Sequence, residues 1–163
     1  MLGIDPGTAI VGWGIIDCND SGTKNNVIAY GHIETAKELS DVVRLSEITD
    51  NVLAILKKYK PAEAAVEDLF YFKNAKTVIS VAQARGVIMN TCFRDGLKIA
   101  EYTPLQIKQS LTGYGRADKT QMQKMIKSVL KLKSIPKPDD TADALAVALC
   151  HINSRKYLNT ITK

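Results

Sequence analysis

MLGIDPGTAIVGWGII, residues 1–16, sets one carboxylate in an otherwise apolar stretch. Leu2 and Ile4 precede Asp5, and Pro6-Gly7-Thr8 follows it as a turn signal before a second apolar run. Residues 1–5 read as a short buried strand. Residues 9–17, with Ile10, Val11, Trp13, Ile15 and Ile16, read as a second. A charge closing a buried strand is costly unless something compensates it. One purely structural compensation is an Asx-type turn, in which the carboxylate accepts from the Gly7 and Thr8 amides.

Working outward, residues 19–26 are polar and suit a hairpin loop, and residues 27–34 read as a third strand. Three strands joined by short turns form an antiparallel meander. The hydrophobic period then changes. Leu39, Val42, Val43, Ile48, Val52, Leu53 and Leu56 follow helical spacing, with Ser40 as N-cap and Pro61 beyond the end. Residues 62–66 form an apolar strand that closes on Glu67. A long helix over 74–94, a strand over 97–102 and a short helix over 104–111 come next. Asp118 and Gln121 make a capping box ahead of the apolar stripe Met122, Met125, Ile126, Val129 and Leu130. The last helix is expected from about Asp139 to about 153, with a flexible tail from about 155. This order predicts an α/β fold: a mixed five-stranded sheet, meander plus parallel strands, flanked by helices. In such sheets ligands bind at strand ends, and Asp5 and Glu67 each terminate a strand.

Composition narrows the classes less sharply. At 163 residues the chain reads as one domain, residues 1–163, with no repeat or linker to divide it. Lys and Arg outnumber Asp and Glu by 22 to 17, which favours a polyanionic partner only weakly. Cys18, Cys92 and Cys150 are odd in number and widely spaced, and only His32 and His151 could add imidazole, so a disulfide framework or zinc knuckle is not expected. No signal peptide or membrane-spanning run is evident, and the cytoplasm is the expected address.

The chemistry lies in the acids. Asp5 and Glu67 end strands, while Asp140 and Asp143, three apart in PDDTADALA, share a helical face. Asp139 and Asp143 would share a face equally well, so spacing alone does not choose between Asp139 and Asp140. First-turn acids also serve the helix dipole. Converging carboxylates repel one another, and oxygen-only ligation suits Mg²⁺, with Mn²⁺ as a substitute. Two such ions, roughly 3.5–4 Å apart, can clamp a phosphodiester.

Four motifs together, GIDPGT, AVEDLF, QARG at 83–86 and the DxxDALA run at 140–146, resemble the RuvC family of Holliday junction resolvases over nearly the whole chain. The resemblance implies an RNase H-like fold and a homodimeric endonuclease acting in DNA recombination and repair. Such an enzyme makes symmetric Mg²⁺-dependent nicks in a four-way DNA junction. The family's catalytic, metal-holding acids fall on Asp5, Glu67, Asp140 and Asp143, which selects Asp140 over Asp139. Its junction-stacking aromatic falls on Phe70, and two DNA-contacting lysines on Lys108 and Lys119. One face of the 74–94 helix is the expected dimer seam. The RuvA and RuvB branch-migration proteins are candidate partners through the same resemblance.

From the residues themselves, LFYFK (69–73) offers an aromatic face to unpaired bases, or else packs in the core. Lys73, Lys76 and Arg85 follow as candidate phosphate contacts, with pairing inside the fold as the alternative for Arg85. Arg116 joins Lys108 and Lys119 around the loop TGYGRADK (112–119), where amides at the next helix N-terminus add anion affinity. Three other readings share part of this pattern. A different RNase H-like nuclease, such as an RNA–DNA hybrid hydrolase or RuvC-like paralogue, would use the same acids. An actin-like or sugar-kinase-like ATPase lobe also uses Asp-x-Gly-Thr, but needs a second lobe and gives Asp140 and Asp143 no role. A non-catalytic junction-binding module would not need the acids.

Overall fold

The structure is a computed structural model that describes residues 1–19, 24–69 and 75–161, with side chains described except at 75–77 and 156–161. Its strands are β1 (Leu2–Asp5), β2 (Ile10–Cys18), β3 (Asn25–Glu34), β4 (Glu63–Glu67) and β5 (Lys98–Tyr102). Its helices are α1 (Asp41–Tyr59), α2 (Ala75–Arg94), α3 (Pro104–Thr112), α4 (Lys119–Val129) and α5 (Asp139–Ile161). The sheet order is β3-β2-β1-β4-β5. The first three strands pair antiparallel, and β1, β4 and β5 run parallel. The expected meander-plus-parallel sheet is the one observed.

The two faces of the sheet bury different partners, and strand alternation decides which residue goes where. Leu2, Ile4, Ala64 and Val66 face α1 and α2, packing with Ile48, Val52, Leu56, Ala84 and Ile88. Ala65 faces the other way, into a core with Ala117, Met122, Ile126, Leu145 and Leu149 contributed by α4, α5 and the loop before α4. Ile15 and Ile16 enter opposite cores by the same alternation, and the register shift opposite them, where β3 carries Ile28 as an extra residue, lets Val27 join Ile16 in the second core.

On the α5 face of the inner strands the side chains are small. Gly3 pairs with Gly14, and Asp5 pairs with Gly12. A Cβ added at Gly3 would overlap the Ala144 carbonyl, and one at Gly12 would overlap the Asp140 carbonyl. Helix α5 therefore lies almost directly on the backbone of β1 and β2. No residue larger than glycine is compatible with that approach.

Two expectations need correction. Ser40 occupies the N-cap of α1, but its side chain makes no capping hydrogen bond. Helix α5 does not stop near 153; it continues to Ile161. The reason is anchorage beyond the expected end. Arg155 pairs with Glu63 of β4 at 3.0 Å, and His151 bridges Glu63 (3.1 Å) and the Tyr102 hydroxyl (2.7 Å). By contrast, the capping boxes at Thr103 and Asp118 both form, and the latter is the one read from the sequence.

Candidate active site

The fold brings the four sequence-selected acids to one end of the sheet. Asp5 ends β1 and Glu67 ends β4. The two strands run parallel with Ile4 opposite Val66, so the acids are the next residues along neighbouring strands. Asp140 and Asp143 lie one turn apart at the start of α5, and the glycine track lets that turn sit over Asp5.

The electrostatics follow from this crowding. Burial first, then the charge of and a hydrogen bond with Glu67, then Asp143 and Asp140, hold the Asp5 carboxyl well above the usual carboxylate range. Two carboxylates share a hydrogen bond only if one keeps a proton, and here Asp5 keeps it. Burial also raises Glu67; accepting from Asp5 and the nearby Lys108 pull it down, while Asp143 pushes it up. Asp143 is raised chiefly by burial, with Lys119 opposing, its ammonium 3.7 Å away.

Asp139 behaves differently. It is held at about 2 by hydrogen bonds from Lys137 first and then Lys119. Lys137, Gln123 and Lys119 lie 2.8, 2.9 and 3.2 Å from its carboxylate. It is a tether for the start of α5 and for Lys119, and its charge is already matched.

Among the described residues no three Asp, Glu, His or Cys side chains form a ready-made cation cage. The donor set nevertheless fits a hard divalent ion: it is all carboxylate oxygen, and even with Lys108 and Lys119 nearby the crowding leaves a proton on Asp5. Beside it, a cavity of about 250 Å³ is lined by Glu67, Asp143, Lys108 and Lys119 on its polar side and by Ile107 and Met122 among its apolar walls. Lys108 projects from α3, and Lys119 opens α4 behind the Asp118 cap. Arg116 is exposed in the loop between those helices. Phe70 and Lys73 lie outside the described residues, and for Lys76 only the backbone, in α2, is described.

Arg85 does not point to a free phosphate-binding surface. Its Nε donates to the Glu67 carbonyl at 3.2 Å, and its guanidinium bonds both Asp68 (3.1 Å) and Glu101. Asp68 in turn donates its amide to the Tyr102 carbonyl. Asp68, the sequence neighbour of Glu67, is thus part of this clamp. The clamp fixes the backbone that carries Glu67, and displacement of a reacting group by about 1 Å can lower a rate by roughly a hundredfold. Arg85→Ala should therefore slow cleavage of bound DNA roughly thirtyfold, with binding affinity within about twofold. Weaker binding with an unchanged single-turnover rate would make Arg85 a DNA contact instead.

Two further participants gave little sequence signal. Gly12 was visible only as part of a Gly-rich strand. The pairing of Arg44 with Thr35, nine positions apart across a loop, matches no motif.

Comparison with known proteins agrees with this geometry. The family model described as "Crossover junction endodeoxyribonuclease RuvC" matches residues 1–151. The protein so named from Caldicellulosiruptor saccharolyticus is 56% identical over 154 residues, 94% of this chain and 92% of that one. The one from Clostridioides difficile is 51% identical over 161 residues, 99% and 94% of the two chains. A solved structure titled "T. thermophilus RuvC in complex with Holliday junction substrate" superposes with a TM-score of 0.89 at 30% identity, covering 96% of this chain and 94% of that one. The Fowlpox virus resolvase, bound to its junction, shares the fold at a TM-score of 0.61 and 17% identity, covering 94% of this chain and 98% of that one. An extended relationship of this kind, over both the sequence and the sheet that carries the acids, places the chain in the RuvC family of crossover junction endodeoxyribonucleases.

Proposed function

We propose that this chain resolves four-way DNA junctions by paired hydrolysis of phosphodiesters. The observation that carries the reading is the convergence of Asp5, Glu67, Asp140 and Asp143 from β1, β4 and α5 beside Lys108 and Lys119. These four acids would hold Mg²⁺, or Mn²⁺ in its place. Two such ions, when bound, lower the pKa of water and stabilise the leaving oxygen.

The chain's own groups do the rest. With cations held there, the proton that Asp5 shares with Glu67 would be lost to solvent, leaving both as carboxylates. Lys108 and Lys119 draw the scissile strand toward the acids, and Lys119, tethered by Asp139, has a fixed position. Burial lowers the Lys119 ammonium pKa, but Asp143 and Asp139 raise it, leaving it raised overall and charged in the working pH range. Phe70, Lys73, Lys76 and Arg116 belong to this reading as further DNA contacts, with Phe70 stacking on an unpaired base. Residues 1–163 act as a single RNase H-like nuclease domain. The RuvA and RuvB branch-migration proteins and a cytoplasmic setting belong to the reading as well; among the described residues no helix is long and apolar enough to cross a membrane.

Paired nicks need two active sites, and a homodimer supplies them. Along α2, Ile79 and Phe93 are 60% and 69% exposed, with Ala82, Gln83, Gly86 and Asn90 exposed between them. That stripe suits a second copy of the same helix. Phe93→Glu should shift the protein to monomer on size-exclusion chromatography and reduce paired resolution at least roughly tenfold. Retention of the wild-type elution volume would place the seam elsewhere.

The reading is tested by incubating the purified protein with a four-way junction, a linear duplex and an RNA–DNA hybrid, each with Mg²⁺ or EDTA. Symmetric Mg²⁺-dependent nicks in the junction alone are expected. Cleavage of the hybrid in preference would point to another RNase H-like nuclease.

A further inference from the structure

The β1–β2 turn opens into a second groove of about 350 Å³. Residues 7–10 of the turn, Arg44 of α1, Ser80 and Val81 of α2 and Asp140 line it. Arg44 is built into this groove. Its Nε donates to the Thr35 hydroxyl at 2.8 Å, and that hydroxyl donates to the Thr8 carbonyl at 2.7 Å. The Thr35 amide donates to the Ala9 carbonyl at 3.0 Å, and Thr35 is 4% exposed. A buried threonine thus locks the arginine to the turn that follows Asp5. The Thr8 hydroxyl, also buried, has no hydrogen-bond partner among the described residues. An orphaned buried hydroxyl is costly in the free protein and often marks a site whose partner is a ligand.

We propose that this groove is a phosphodiester subsite, in which Arg44 and the turn hold a backbone phosphate of the cleaved strand next to the hydrolysed one. The inference rests on the junction-nuclease reading above. Fixing Nε orients the guanidinium plane, whose remaining N–H groups match paired phosphate oxygens. Lys108 and Lys119 serve the Glu67–Asp143 side of the acids. Arg44 serves the Asp140 side, where among the described residues it is the one lysine or arginine lining the groove. A strand crossing four carboxylates needs cationic contacts on both flanks, or it is repelled on one of them. A turn that follows Asp5 directly also sets the register of the strand against that acid.

The test is equilibrium binding of a four-way junction in EDTA over a range of salt, with wild type, Arg44→Ala, Arg44→Lys and Thr35→Val. Arg44→Ala should bind roughly tenfold more weakly. Its plot of log affinity against log salt should be shallower by about 0.9, the value of one phosphate contact. Arg44→Lys should keep the slope and recover part of the affinity, and Thr35→Val should fall between. Junctions with one neutral methylphosphonate at successive positions of the cleaved strand identify the phosphate. One position should weaken wild type and leave Arg44→Ala unaffected. Arg44→Met replaces the alanine variant if that one unfolds. Equal affinity and slope for wild type and the uncharged variant, with no such position, overturns the subsite. A wild-type protein that binds junction no better than linear duplex overturns the junction reading itself.

Discussion

Asp5→Asn is expected to reduce Mg²⁺-dependent junction nicking by roughly a thousandfold or more, equivalent to about 4 kcal/mol of transition-state stabilisation. It should leave junction binding nearly unchanged and raise the thermal unfolding midpoint. The three outcomes have one cause. Asp5 is the most crowded acid of the site, buried and surrounded by Glu67, Asp143 and Asp140. Asparagine keeps the shape and can still donate to Glu67, but it removes a carboxylate that the proposed cations would need. It also removes the repulsion and desolvation that the folded protein must bear without them. Relief of a strained functional charge commonly stabilises by about 0.5–2 kcal/mol.

The sign of the pH dependence follows from the same shift. Folded Asp5 holds its proton more tightly than unfolded Asp5 does, and Glu67 and Asp143 are raised as well. Over the window between the ordinary carboxylate value, about 4, and the raised folded values, the native state therefore binds more protons. In EDTA, stability should fall as pH rises through that window and stay low above it. The decline should be shallower in Asp5→Asn. On the proposed function, Mg²⁺ should restore wild-type stability above the window, because it would bind the native state alone. Near-wild-type nicking by Asp5→Asn would remove Asp5 from the mechanism. A lower midpoint with a steeper pH decline would show its charge to be structural rather than functional.

The parts of this site that could be read in the sequence are those fixed by local pattern. Strand period, turn chemistry and the break at Pro61 gave every element of the sheet in order, and terminal acids on two apolar strands marked the site end. Asp140 and Asp139 were indistinguishable by spacing, since both share a face with Asp143. The motif resemblance selected Asp140, and the three-dimensional partners distinguish the two independently: Lys137, Gln123 and Lys119 occupy Asp139. Arg85 shows the same limit from the other side. Its basic neighbours suggested DNA, yet Glu101 and the Glu67 carbonyl that engage it come from β5 and β4, remote in sequence. The length of α5 was missed for a similar reason, because Glu63 extends the helix through Arg155 from the far end of β4. Long-range polar pairs of this kind have no period and no motif.

Gly12→Ala should be the most damaging conservative change outside the acids. Gly12 pairs with Asp5, so its missing side chain lies on the face that carries the Asp5 carboxylate. The space is taken by the Asp140 carbonyl and the first turn of α5. Backbone cannot step aside as a side chain can. A methyl group there must lift the helix start that carries Asp140 and Asp143 away from Asp5. Overpacking of this kind costs about 1–3 kcal/mol, near the upper end here, or a fall of roughly 10 °C in the unfolding midpoint for a chain of this size. Displacement of two acids by even about 1 Å should lower cleavage at least a hundredfold. Gly14→Ala is the matched control on the same strand and face. Its added methyl would meet the Leu145 side chain, with Cδ2 at 2.5 Å and Cγ at 2.9 Å. A side chain can turn to accommodate it, and the turn carrying Asp140 need not move. The alanine at position 14 should therefore lose stability with cleavage within about tenfold of wild type, whereas the one at position 12 should lose both. Equal effects at the two positions, or full activity with alanine at 12, would show that close backbone approach at Gly12 does not set the acid geometry.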